Sequence, residues 1–196
     1  MPRALAMMPK AWVNSVASSD PAPISAVWEL RYNIQIFTSP LTQSTQAVAL
    51  PGARWLTQWQ WDALDAVRLA RILALLASLR GRAATIRLPH LGFRMASIYP
   101  DIQRSVQSAT THSIGYNGFA IAAGDRIQCE GDEVKLVTAA SASTLAIEPA
   151  FRSIPATGSA ISLQPHSRMR LDHDGLATQV NSGGIYALSA SFSEAL

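Results

Sequence analysis

Residues 51–82, PGARWLTQWQWDALDAVRLARILALLASLRGR, carry the long helical signal of this chain. Leu69, Ile72, Leu73, Leu76 and Leu79 recur at three- and four-residue intervals and so fall on one apolar stripe. Asp65, Arg68, Arg71, Leu75 and Ser78 fall mostly opposite, which leaves one face wet. Asp62 is the candidate N-cap, and Asp62 with Asp65 sits where a helix dipole favours anions. Arg80 and Arg82 flank the far end, with Gly81 at the left-handed stop position. The pattern predicts a helix over about 61–80. Trp55, Leu56, Trp59 and Trp61 lead into it, so three of the five tryptophans lie within seven residues. Such a group is the large apolar payload that fixes a helix to a sheet.

Outward from this stretch the chain reads as strands and turns. In 26–37, AVWELRYNIQIF, residues Trp28, Leu30, Tyr32, Ile34 and Ile36 share one face, and Glu29, Arg31, Asn33 and Gln35 share the other. That alternation predicts a half-buried strand. Ser39-Pro40 marks a turn, 46–50 a second strand closed by Pro51-Gly52, and 54–60 a third that hands over to the helix. After Gly81 come a strand at 84–88 and a long connection at 90–103. Short strands follow at 126–129, 134–138, 144–148, 160–163, 168–171, 176–180 and 185–192. Asp174-Gly175 suits a type I′ hairpin turn between 168–171 and 176–180. The expected class is mainly β with one long α-helix, a β-sandwich or small-barrel core with the helix packed on a sheet. Three regions follow: an extended arm at 1–25, a β-rich lobe with the helix at 26–106, and a small β-barrel or meander lobe at 107–196. Prolines 2, 9, 21 and 23 make the arm irregular. Such a segment reads either as a disordered tail or as an arm that docks on a neighbouring subunit, and Met7, Met8 and Trp12, costly to leave in water, favour the arm slightly.

Composition narrows the function. The chain has 196 residues, 48% hydrophobic but only 15% charged, a net charge of +3 and a single cysteine. No basic run tracks a nucleic-acid backbone, and no apolar segment is long enough to span a membrane. Pro9 and Lys10 cut short the apolar run that a secretion signal would need. Cys129 beside Glu130 reads as a structural thiol. His90, His112, His166 and His173 share no ligand spacing, and Asp172–Asp174–Gly175 lacks the downstream glutamate of a calcium loop. No nucleophile elbow, selected carboxylate pair or phosphate loop stands out, so neither an enzyme nor a cofactor is expected. Few charges lower the desolvation cost of burying the surface against neighbours, which suits an assembly subunit. The competing expectation is a carbohydrate-binding module using the tryptophans or an exposed β face.

Four stretches resemble a family of tail proteins from long-tailed bacteriophages and related gene-transfer particles. Phe37 with Ser39-Pro40-Leu41-Thr42 and Gln43 to Gln46 is similar to the family's F-S-P-x-T-G-x-x-Q, with Gln43 standing where the pattern has glycine. Pro51-Gly52-Ala53-Arg54-Trp55 resembles P-G-x-R-W. Leu79-Arg80-Gly81 followed by a strand and Leu88-Pro89 resembles L-x-x-L-R-G … F-x-L-P. Ala123-Gly124-Asp125 with Ile147-Glu148-Pro149 and Arg152 resembles x-G-D … I-x-P-x-L-R. The likeness runs from about residue 26 to the end, and Leu91-Gly92-Phe93 continues none of these patterns. It implies a distal tail or baseplate protein, a ring-forming adaptor linking the tail tube to tail-tip and receptor-binding proteins. Its partners would be copies of itself and the tube, hub or tail-tip proteins. It would sit in the virion tail, and in the host cytoplasm during assembly. No cofactor, catalytic residue, nucleic-acid contact or membrane insertion is implied. Within that scheme Arg54, Trp55, Trp59 and Trp61 form a structural corner between strand and helix.

Overall fold

The computed structural model describes residues 6–7 (backbone), 23–90, 104–117, 121–175, 177–180 and 184–195. Met8, Trp12 and most of the expected arm lie outside the described residues, as does 91–103. The strands are β1 (Ala6–Met7), β2 (Ser25–Thr38), β3 (Thr45–Leu64), β4 (Ile86–Pro89), β5 (Ser105–Ala109), β6 (Ser113–Asn117), β7 (Arg126–Gln128), β8 (Val134–Ala140), β9 (Thr144–Glu148), β10 (His166–Leu171), β11 (Thr178–Val180) and β12 (Tyr186–Glu194). Among the described residues one α-helix, α1 (Ala66–Ser78), lies between these strands, and the protein is mainly β. A seven-stranded sheet has the order β1-β4-β10-β12-β3-β2, with β11 added to β12. A five-stranded sheet has the order β5-β6-β9-β8-β7.

The helix is shorter than its periodicity predicts. Alternation does not stop at Trp61, because β12 captures β3 through to the pair Tyr186↔Leu64. A non-local ladder therefore keeps 61–64 in the strand, with a bulge at left-handed Ala63 (φ 52°), and Asp65, not Asp62, caps the helix by accepting from the Arg68 amide at 2.7 Å. At the other end Arg80 and Gly81 both turn left-handed, at φ 52° and 62°, and stop the helix. Leu69, Ile72, Leu76 and Leu79 are buried against Trp59, Trp61, Leu188, Ala190 and Phe192 of the sheet. Each such side chain contributes about 1.5–3 kcal/mol of transfer free energy.

The second half of the chain does not stay in one lobe. The smaller sheet spans 105–148 and encloses its own apolar cluster, which includes Val106, Ile114, Tyr116, Leu145, Ile147 and Phe151. Residues around 160–162 then bridge both of its edges, Ser105↔Ala160 on β5 and Gln128↔Ser162 on β7. The sheet curls into a half-barrel whose rims this segment joins. The chain next returns to the large sheet, where β10 pairs with β4 and β12, and β12 pairs with β3. The lobe expected over 107–196 thus ends near 163, and the half-barrel is an insertion into the large sheet. The two sheets hold separate apolar clusters and do not share a single sandwich core.

The expected hairpin through Asp174-Gly175 is also replaced. β10 and β11 do not pair with each other; both flank β12. Arg82 takes the turn instead: its amide donates to Asp174 Oδ1 at 3.2 Å, its Nε to the Asp172 carbonyl at 2.9 Å, and its terminal nitrogen to that same carbonyl. A Cβ on Gly81 would lie 2.8 Å from Asp174 Oδ1 and 3.0 Å from its Cα. Gly131 is also left-handed (φ 77°), but it faces open space. Gly131→Ala should therefore lower stability by the backbone strain alone, about 1–2 kcal/mol. Gly81→Ala should lower it further, because Asp174 must also move. Urea unfolding of the two variants checks this, and equal losses would remove the Asp174 contact from the explanation.

Candidate functional site: a buried junction and a protruding hairpin

Two features stand out, one inside and one outside. The inner one lies where the half-barrel meets the large sheet. His90 follows β4 and is 7% exposed, and Ser167 on β10 is fully buried. His90 Nε2 lies 2.6 Å from Ser167 Oγ, and its Nδ1 lies 2.9 Å from a terminal nitrogen of Arg126 on β7. Trp28 stacks on the imidazole at 3.7 Å between centroids, and Trp55 meets it edge-on at 5.1 Å. The Arg126 guanidinium sits 4.4 Å over the Trp55 ring. Sequence reading missed this group, since its members are spread from residue 28 to 167 with no spacing rule among them.

A serine hydrogen-bonded to a histidine suggests a nucleophile and its base. The third partner decides against it. Arginine only donates, so Nδ1 must hold the lone pair and Nε2 must carry the proton. His90 therefore donates to Ser167 and has no free base to accept its hydroxyl proton. A catalytic pair would place a carboxylate where Arg126 stands. Burial, with Arg126 and then His166 nearby, holds His90 well below its usual range, and burial pulls Arg126 down to about 10. The junction is a clamp between lobes.

A second bridge supports the clamp. β3 leaves β12 after Leu56↔Ser193, which frees the Trp55 amide; Glu194 Oε2 accepts from it at 2.9 Å. The Trp55 indole donates to the Val134 carbonyl of the half-barrel at 2.9 Å. Arg152 lies 3.5 Å from Glu194 and donates to the Ala53 carbonyl at 3.2 Å. Lys135, 1% exposed, pairs with Glu133 at 2.7 Å and donates to the Ala150 carbonyl. Burial lowers the Lys135 pKa, with Glu133 opposing. Gln128 donates to the His166 carbonyl and accepts from the His166 amide, so a side chain extends the ladder between sheets.

The corner residues separate accordingly. Trp59 and Trp61 are fully buried under the helix. Trp55 is buried at the lobe junction, and Arg54 is exposed opposite Arg31, while the strand-to-helix corner lies at Leu64–Asp65. Arg54 and Trp55 are thus moved from the helix corner to the hairpin base, because β3 runs on past them. Met7 contributes backbone pairing to Arg87 on β4. Burial pushes the Cys129 thiol up to about 11, with Lys135 opposing, which suits an unreactive thiol.

The outer feature is the hairpin of β2 and β3. From residue 32 to 53 it holds no Asp, Glu, Lys or Arg. The inward residues Ala26, Trp28 and Leu30 are half-buried, but the same stripe continues through Tyr32, half covered and within reach of the Glu148 charge, to Ile34 and Ile36, which are more than half exposed. Phe37, Val48 and Leu50 are exposed too, and Leu41 at the tip is 93% exposed. Paired residues 33–38 and 45–50 make this arm about 20 Å long. Pro51-Gly52-Ala53 is no turn. It bulges opposite Tyr32 inside one continuous strand, where Gly52 takes φ 106° and Asn33 Nδ2 holds the Pro51 carbonyl at 2.9 Å. On the sheet's outer face a depression of about 200 Å³, bordered by Val27, Glu29, Arg31, Gln58 and Asp172, is smaller than ordinary ligand pockets.

Among the described residues no three His, Cys, Asp or Glu side chains gather to hold a metal ion, and no helix is long and apolar enough to cross a membrane. The chain matches no protein-family model and no curated protein.

The clamp sets a pH dependence. Unfolded, His90 binds a proton near pH 6.5; folded, it binds one only well below that. Stability is therefore whole above about pH 6.5 and falls as pH drops below it, by up to about 1.4 kcal/mol per unit. Urea midpoints measured on either side of this pH should show the loss, and His90→Gln should abolish that share of it. An unchanged acid loss in the variant would assign it to other groups.

Proposed function

We propose that this protein is a structural subunit of a long-tailed phage or gene-transfer particle, a ring-forming distal tail or baseplate adaptor. It would join the tail tube to tail-tip and receptor-binding proteins, assembling in the host cytoplasm and residing in the virion tail. The observation that carries the reading is the uncharged arm, whose apolar stripe the described chain leaves more than half exposed at Ile34 and Ile36. A surface of that kind is made for burial against another chain.

The resembling stretches lend support through their backbone demands. Gln43 stands where the family pattern has glycine, and it takes φ 57°, a conformation that glycine favours. Gly52 of the P-G-x-R-W-like stretch re-aims the arm at its bulge. Gly81 of the L-R-G-like stretch abuts Asp174, and Arg152 of the last stretch reaches the hairpin base. Gly52 and Arg152 lie where the arm leaves the body. Closed rings use heterologous contacts, and a rigidly held arm suits one. The sugar-binding reading loses its tryptophan platform, because Trp55, Trp59 and Trp61 are all buried, and keeps only the exposed β face.

Mass measurement and electron microscopy of the purified chain, alone and with tail-tube and hub proteins, should show closed oligomers. Replacing residues 34–49 with an Asn-Gly turn should leave the thermal unfolding of the body in place and abolish those oligomers. A native chain that stays monomeric with every tail partner, or a shortened chain that still closes rings, would contradict the proposal. Gln43→Gly should raise stability by about 0.5–1 kcal/mol, by relieving the left-handed strain at the arm's tip. Urea unfolding reads that gain, and a loss would show that the tip needs the glutamine side chain.

A further inference from the structure

β2 ends the large sheet, so its outer edge meets no strand among the described residues. Such an edge normally carries charges or a bulge that block pairing. β2 itself is continuous over 14 residues, the bulge opposite Tyr32 lying on β3 at its other edge, and within it only Glu29 and Arg31 are charged. These two stand on either side of Leu30, each more than half exposed, and meet each other at 3.1 Å within one copy.

The residues around Leu30 are arranged about a centre. Reading outward in both directions, Glu29 matches Arg31, Trp28 matches Tyr32, Val27 matches Asn33, Ala26 matches Ile34, Ser25 matches Gln35 and Ile24 matches Ile36. We propose that the open edge of β2 pairs antiparallel with β2 of a second copy, about a two-fold axis at Leu30. In that register Glu29 of each copy faces Arg31 of the other, and an isologous contact forms both ion pairs at once. Trp28 faces Tyr32, and Ala26 and Ile24 face Ile34 and Ile36. The exposed stripe of each arm then lies beside the half-buried stripe of the other copy's body. An axis at Glu29 or at Arg31 would instead set like charges across from each other. An axis halfway between two residues would put polar side chains opposite apolar ones. Only the axis at Leu30 sets opposite charges across from each other.

This contact uses the edge of β2. The tip and the face bearing Phe37, Val48 and Leu50 stay open for other neighbours, so the inference stands without the tail reading. Charge reversal tests it in the full chain by sedimentation. Glu29→Arg and Arg31→Glu should each weaken two-fold association by about tenfold or more, since like charges then face each other. The double variant restores opposite charges and should recover it. Both residues are exposed, so folding is expected to be unaffected, and thermal unfolding verifies this. Leu30→Cys should also form a disulfide between copies on mild oxidation, whereas Ile36→Cys alone should not, because it faces Ile24. Singles without effect, a double that fails to recover, or no Leu30→Cys cross-link would each overturn the pairing. Rings lacking that cross-link would overturn it while leaving the tail reading in place.

Discussion

The carboxylate of Glu194 holds the architecture together at one point. It sits at the end of β12, nearly buried, where β3 has parted from its neighbour and left the Trp55 amide without a ladder partner. By accepting that amide and facing Arg152, it ties the root of the hairpin to the last strand of the sheet and to the half-barrel. Trp55 then reaches across to Val134. A buried amide without a partner would destabilise the strand where the arm departs. With the partner in place, the arm projects from a rigid base, and its direction relative to both lobes is fixed. The Lys135–Glu133 pair and the His90–Arg126 clamp extend the same polar seam.

That seam explains what was legible in the sequence and what was not. The stripe Leu69–Ile72–Leu76–Leu79 is local, so its helix was visible, and so was the alternation of β2. The helix start was misplaced because the pairing of Leu64 with Tyr186 overrides local preference, and such pairing leaves no mark in a window of residues. The Asp174-Gly175 hairpin failed for a related reason: Arg82, far off in sequence, recruits the turn's acceptors. The lobe boundary after 163 was invisible because alternation tells which face of a strand is apolar, never which strand it joins. The junction residues Trp28, Trp55, His90, Arg126 and Ser167 could be gathered only by folding.

The alternation of β2 also carried more than it first conveyed. Its pattern demanded a buried face through Ile36, yet the described chain covers that face only as far as Tyr32, which is itself half exposed. Sequence and fold disagree over those residues, and the disagreement points to a surface shaped for something outside the single chain. The inner histidine teaches the converse. A serine and a histidine in contact are chemistry only if the proton can move the right way, and an arginine at the second ring nitrogen forbids it.

The central claim is that the hairpin edge and stripe are covered by other chains when the protein works. Amide hydrogen exchange across 24–38, followed as protein concentration rises, tests this most directly. These amides should gain protection with concentration while those of α1 stay unchanged. Exchange in 24–38 that is the same at every concentration, with and without tail partners, would contradict it.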